Sequence, residues 1–87
     1  MPPSRGSRVR QREQTRRTLL REGRRLFAAH GYGGVSLSQV VTAAAVTKGA
    51  LYHHFEGKTD LFRAVLEEVQ TEVGEAVARA AEEHGDP

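Results

Sequence analysis

Residues 36–58, SLSQVVTAAAVTKGALYHHFEGK, constrain the fold more tightly than any other stretch of this chain. Ser36 and Gln39 have the spacing of a capping box, in which each side chain satisfies an exposed backbone N–H of the other residue. Val35 and Val40 flank that cap at the positions of a hydrophobic staple. Val40, Val41 and Ala44 then turn one short helical face inward, and the helix is expected to end near Ala44. Ala45 and Val46 leave room only for a tight turn. Thr47 is a good N-cap for a further helix over Lys48 to His54. The stretch therefore predicts two short helices in close succession, followed by an aromatic and basic exit.

The flanking segments supply the scaffold. Leu19, Leu20, Gly23, Leu26 and Phe27 recur at helical spacing, predicting a first helix from Arg10 to His30 with one apolar stripe. Gly31 is placed to cap it in the left-handed conformation. Gly23 costs roughly 1 kcal/mol relative to alanine inside a helix, which marks a close approach by a second helix. Leu51 and Phe55, with Val46, are expected to bury against the first helix. A fourth helix is expected from Lys58 to Glu83, carrying Leu61, Phe62, Val65, Leu66, Val69, Val73, Val77 and Ala80 on one stripe. A three-helix core needs only the first few of these, so the Val69 to Ala80 stretch requires another partner. The fold class is all-α: a three-helix bundle containing a helix-turn-helix at 36–55, plus a long fourth helix leading out of the domain. Residues 1–12, with two prolines near their start, read as a disordered basic arm, in which Arg5 and Arg8 are placed to lie in a minor groove or along phosphates. The alternative is an unstructured leader that only solvates itself.

Composition narrows the function. The chain has 87 residues and 38% hydrophobic content, enough for one small core and too little for a large ligand cavity within it. It has no cysteine, which removes disulfide and thiolate chemistry and suits a reducing cytoplasm. No apolar run approaches a membrane span, and the Arg-rich N-terminus lacks the apolar segment of a secretory signal. The net charge of +2 conceals a gradient. Residues 1–30 hold nine Arg against two Glu, residues 31–60 are neutral, and residues 61–87 carry a net −5. A basic front and an acidic tail point to a polyanion on one side only, unless both are simply solvated helix faces. His30, His53, His54 and His84 do not have the spacing of a metal site. No nucleophile elbow and no phosphate-binding glycine loop after a strand is present. The expectation is a protein that is not an enzyme and carries no metal or cofactor, with the Glu67, Glu68, Glu72 and Glu75 cluster solvated.

If Leu51 and Phe55 face inward, Lys48, Gly49, Ala50, Tyr52 and His53 lie on or near the outer face of the third helix. A second helix of a helix-turn-helix presented in this way fits the DNA major groove. Gly49 and Ala50 let the backbone approach base edges. Ser36 and Thr47 begin helices whose unpaired N–H groups attract phosphate. Lys48 and Lys58 add charge, and Tyr52 offers a hydroxyl to phosphate or a ring face to a thymine methyl. Only Thr47, Lys48 and His53 have polar groups suited to base reading, so phosphate contacts are expected to dominate.

These residues carry a resemblance. Leu26-Phe27, Gly31-Tyr32, Ser36-Leu37, Val40, Ala44, Val46-Thr47-Lys48-Gly49, Leu51-Tyr52-His53-His54-Phe55, Lys58 and Leu61 are similar to the N-terminal domain of the TetR family of bacterial transcriptional repressors, over Glu13 to Val73. The resemblance implies a homodimer on a palindromic double-stranded operator, with repression of transcription in the cytoplasm at the nucleoid. It implies DNA contacts by Thr47, Lys48, Gly49, Ala50, Tyr52 and His53, with Ser36 and Lys58 at phosphate. Two departures stand out. The family usually has glycine at the position of Ala45 and alanine at that of Gly23. Residues 74–87 read as the start of a missing or truncated C-terminal domain, which would supply dimerisation and any small-molecule effector site. Two other readings remain: a helix-pairing protein-interaction module built on the fourth helix, and a non-specific nucleoid-type DNA binder.

Overall fold

The computed structural model describes residues 5–84, and all regular structure in them is helical. Helix α1 runs Arg5–His30, α2 Leu37–Ala44, α3 Lys48–Tyr52 and α4 Lys58–Glu83. The core contains Leu19, Leu26 and Phe27 of α1, Val35 before α2, and Val40, Val41 and Ala44 of α2. Leu51, Phe55, Leu61 and Val65 complete it. No polar side chain is buried among the described residues, so the core of the three-helix bundle is apolar throughout.

Local signals close the elements where the caps predict. Ser36 N–H donates to Gln39 Oε1 at 2.8 Å and Gln39 N–H donates to Ser36 Oγ at 3.2 Å. Gly31 adopts φ +75° and its N–H donates to Phe27 O at 2.8 Å, a left-handed stop that L side chains resist. At Gly23, an added Cβ would stand 3.3 Å from Leu61 Cδ2, so the missing side chain is what brings α1 and α4 together. Phe27, Tyr32 and Phe62 form an aromatic cluster beside this contact. The ring of Phe62 meets those of Phe27 and Tyr32 edge-on, at 4.9 and 5.1 Å between centroids.

Three expectations need correction or completion. Helix α1 begins at Arg5, not Arg10, so residues 5–12 are helical where a disordered arm was expected; residues 1–4 lie outside the described residues. That segment has no apolar periodicity to announce a helix, yet arginine and glutamine are good helix formers and propensity carries the helix onward. Helix α3 ends at Tyr52, two residues early. The N–H groups of His54 and Phe55 both donate to Leu51 O, at 2.9 Å each, which tightens the last turn and redirects the chain toward α4. On α4 the buried stripe stops at Val65; Leu66 is exposed, and Val73 and Val77 are 57% and 63% exposed. Past Val65 the two long helices are still joined by the Arg24 guanidinium, which donates to both carboxylate oxygens of Glu72 at 2.8 and 3.0 Å.

Ala45 sits at φ 57°, ψ 42°, the one non-glycine residue in the left-handed region among those described. Its N–H donates to Thr42 O and that of Val46 to Val41 O. This pair of bonds is a Schellman closure, which suits glycine at the left-handed position. Alanine there carries a steric cost of roughly 1–2 kcal/mol, partly offset by the greater unfolded-state entropy of glycine. Ala45→Gly is expected to stabilise the fold by about 0.5–1 kcal/mol and raise Tm by several degrees, since 1 kcal/mol moves a domain of this size by roughly 4–8 °C. A thermal melt followed by circular dichroism checks this, and an unchanged or lower Tm contradicts it.

Candidate nucleic-acid interface

Helix α3 is five residues long and divides by residue into an anchor and a display. Leu51 is fully buried and Phe55, just past the helix, is nearly so. Thr47, Lys48, Gly49, Tyr52 and His53 are exposed on the other side, while Ala50 is half-buried between the two. Thr47 Oγ1 accepts the Ala50 N–H at 3.1 Å, and its extended backbone (φ −85°, ψ 158°) starts the helix as an N-cap should. A Cβ built on Gly49 would meet only Thr47 Oγ1, at 3.8 Å. The α3 backbone is therefore open to close approach at that point.

The other two predicted positions lie at the starts of α2 and α4. Ser36 is exposed at the start of α2, with its Oγ engaged as the cap acceptor and its hydroxyl hydrogen still able to donate. Lys58 begins α4 but does not extend freely. It is half-buried, and its Nζ lies 4.2 Å from the centroid of the Tyr32 ring, a cation–π contact. The Tyr32 hydroxyl shares a hydrogen bond of 2.7 Å with Thr59 Oγ1. Tyr32 thus positions the first turn of α4 from the α1–α2 loop, a role the sequence reading did not assign to it. The N-terminus of α4 has no side-chain cap on its own N-cap, Gly57. Instead Asp60 Oδ2 accepts the N–H of Glu56 at 2.9 Å, just ahead of the helix.

A further set of residues adjoins α3. Arg8, Gln11, Arg12 and Thr15 of α1 face Ala50, His53 and His54 across an open groove of about 450 Å³. The Arg16 guanidinium sits 4.7 Å from the centroid of the Phe55 ring. None of the α1 side chains in the groove except Arg8 was marked by the sequence as a site residue, because their placement beside α3 depends on how two helices pack. No cluster of three His, Cys, Asp or Glu side chains suited to a metal is found among the described residues.

His54 is half-buried in this corner. Burial depresses its imidazole pKa below the ordinary 6.5, and the positive charge of Arg16, His53 and Arg12 pushes it further down. The folded state therefore resists protonation that the unfolded chain accepts. As pH falls through 6.5 the unfolded chain takes up a proton first, and the fold loses stability until the folded imidazole also titrates. His54→Gln is expected to flatten the stability loss between neutral and mildly acidic pH in urea titrations. An identical pH dependence in the variant would assign that loss to other groups.

Comparison with known proteins places this geometry. A family model described as bacterial regulatory proteins, tetR family, matches residues 19–65. Over 63 residues the chain is 40% identical to the HTH-type transcriptional regulator AcrR of Shigella flexneri, an alignment covering 72% of this chain and 29% of AcrR. It is 36% identical over 64 residues to the HTH-type transcriptional repressor AcnR of Corynebacterium glutamicum, covering 74% of this chain and 34% of AcnR. It also superposes on the crystal structure of a TetR-family transcriptional regulator from Pectobacterium atrosepticum with a TM-score of 0.77 and 34% identity. That superposition covers 97% of this chain and 42% of the other. The chain thus spans about a third of the length of the curated relatives it matches. With the family model running through the capped helix pair and over more than half of the sequence, the chain belongs to the tetR family of bacterial regulatory proteins.

Proposed function

We propose that this chain is the DNA-binding head of a transcriptional repressor, seating α3 in the major groove of double-stranded DNA. The observation that carries the reading is the division of α3. Leu51 holds it rigidly to the core, while Thr47, Lys48, Gly49, Tyr52 and His53 stand outward with an open backbone at Gly49. Ser36 and Lys58, at the starts of α2 and α4, are offered as phosphate contacts on either side. Ala50 lies nearer the core and contributes by its small size. AcrR and AcnR are named as a transcriptional regulator and a transcriptional repressor respectively, which supports the same reading here.

The working unit is proposed to be a homodimer on a palindromic operator, with two α3 helices about 34–36 Å apart, one turn of DNA. Any small-molecule effector would act through chain beyond this head by changing that spacing. The site of action would be the cytoplasm, at the nucleoid; no described helix is long and apolar enough to cross a membrane. A lone head should bind weakly, near the roughly 10⁻⁴–10⁻⁶ M of non-specific contacts at physiological salt. The uncovered Leu66, Val73 and Val77 side chains favour one competing reading, a helix-pairing module, for which α3 would be irrelevant.

The test is selection from a randomised duplex pool, followed by salt titration of the tightest sequences. A recovered palindrome supports the repressor reading, and salt-sensitive binding without enrichment favours a general DNA binder. Lys48→Glu is expected to weaken duplex binding at least roughly tenfold and to lower the slope of log affinity against log salt by about 1. Full affinity in that variant would remove α3 from the interface.

A further inference from the structure

The arginines of α1 fall into two groups. Arg17, Arg21, Arg24 and Arg25 each lie within 4.0 Å of a glutamate carboxylate. Arg8, Arg10, Arg12 and Arg16, nearer the N-terminus, have no such partner among the described residues; Arg8, Arg12 and Arg16 share one stripe. Their positions follow from helical spacing. Leu26, Gly23 and Leu19 mark the buried face of α1, and further steps of three or four residues reach Thr15 or Arg16, then Arg12 and Arg8. The stripe that is apolar over the core thus becomes basic where α1 overruns the core, and there it overhangs α3. Arg8 and Arg12 line one wall of the groove, with His53 and His54 on the other. No carboxylate lines it. Helix α1 continues for more than two turns past its last buried residue, Leu19, so packing does not explain the extension.

We propose that this groove is a second nucleic-acid surface, a rigid track for the sugar–phosphate backbone of the DNA strand bordering the major groove, with Arg8 and Arg12 as its direct phosphate contacts. The proposal rests on the reading of α3 as the groove-entering helix and deepens it. A duplex seated on Lys48, Gly49 and Tyr52 must carry a backbone alongside α3, and the groove adjoins α3 at Ala50 and His53. No carboxylate among the described residues neutralises its arginines, and guanidinium groups suit phosphate oxygens. Arg16 is a positioning residue in this scheme, because its guanidinium is already seated on Phe55. A helix holds Arg8 and Arg12 in register, where a disordered arm would have to be ordered on binding.

Arg8→Gln and Arg12→Gln, singly and together, test this, because glutamine keeps helix propensity and both positions are exposed. The double variant should lower the slope of log affinity against log salt by about 2, since each phosphate neutralised contributes roughly 0.9. Affinity should fall at least tenfold at moderate salt, equally for preferred and random duplexes, with the selected sequence unchanged. In nuclear magnetic resonance spectra, duplex addition should perturb the His54 ring signals in the parent chain. An unchanged slope and affinity in the double variant, with Lys48→Glu still impaired, would overturn the track and leave the α3 reading intact. A change in the selected sequence would overturn it too, by making Arg8 or Arg12 a base reader. If the parent chain binds no duplex at low salt, both readings fall. Loss of self-association in the double variant, without DNA binding, would instead assign the groove to the acidic fourth helix of a second copy.

Discussion

Leu51 is the contact on which α3 depends. A helix of five residues forms too few internal bonds to overcome the cost of nucleation and would not persist alone. It exists because Leu51 is sealed in the core, because Thr47 caps its start, and because the carbonyl of Leu51 takes two N–H groups at its end. Phe55 continues the anchor past the helix and is itself covered by the Arg16 guanidinium. The outward side chains of α3 inherit their positions from these inward ones. Losing the Leu51 side chain would remove the order of the display along with a core contact, at a cost of roughly 2–5 kcal/mol for a buried leucine.

A second level of organisation is the way α4 is attached. Its first turn is held by Tyr32, through the ring under Lys58 and the hydroxyl on Thr59. Its next turns are held by Leu61 against Gly23 and by Val65 in the core. Glu72, on Arg24, ties it again beyond the core. These attachments differ in kind. The apolar ones are insensitive to salt, whereas the exposed Arg24–Glu72 pair is screened by it and contributes little on its own. The helix is therefore fixed firmly at its base and loosely at its middle.

What was legible in the sequence was local. The capping box at Ser36 and Gln39, the Thr47 cap, the Gly31 stop and the apolar stripes depend on residues three or four apart, and each appears as expected. Gly23 was readable as a close approach because a mid-helix glycine is costly enough to need a reason, and Leu61 supplies it. The α1 extension was not readable. Residues 5–9 carry no apolar period, and a pattern-based reading has only charge and the prolines just upstream to go on there. The Tyr32–Lys58 contact, the Arg24–Glu72 pair and the α1–α3 groove join residues far apart in sequence, so they exist only once the helices have been packed. The early end of α3 is a boundary effect, decided by which carbonyl the last N–H groups choose. The same limit applies to the interface. The outward position of the α3 residues was legible from their period, while the α1 residues beside them needed the tertiary arrangement.

The absence of any buried polar side chain among the described residues has a consequence for how such a head can diversify. The core makes no demand for hydrogen bonding or charge, and well-packed apolar cores tolerate volume-conserving exchange. The outward residues of α3 contribute almost nothing to that core. Core packing and outward display therefore rest on different residues of the same turn, and exchanges in the outward set leave the core packing untouched. Under the proposed reading, Lys48, Gly49, Tyr52 and His53 would form an exchangeable cassette: a new binding preference could be installed there without re-solving the fold beneath it.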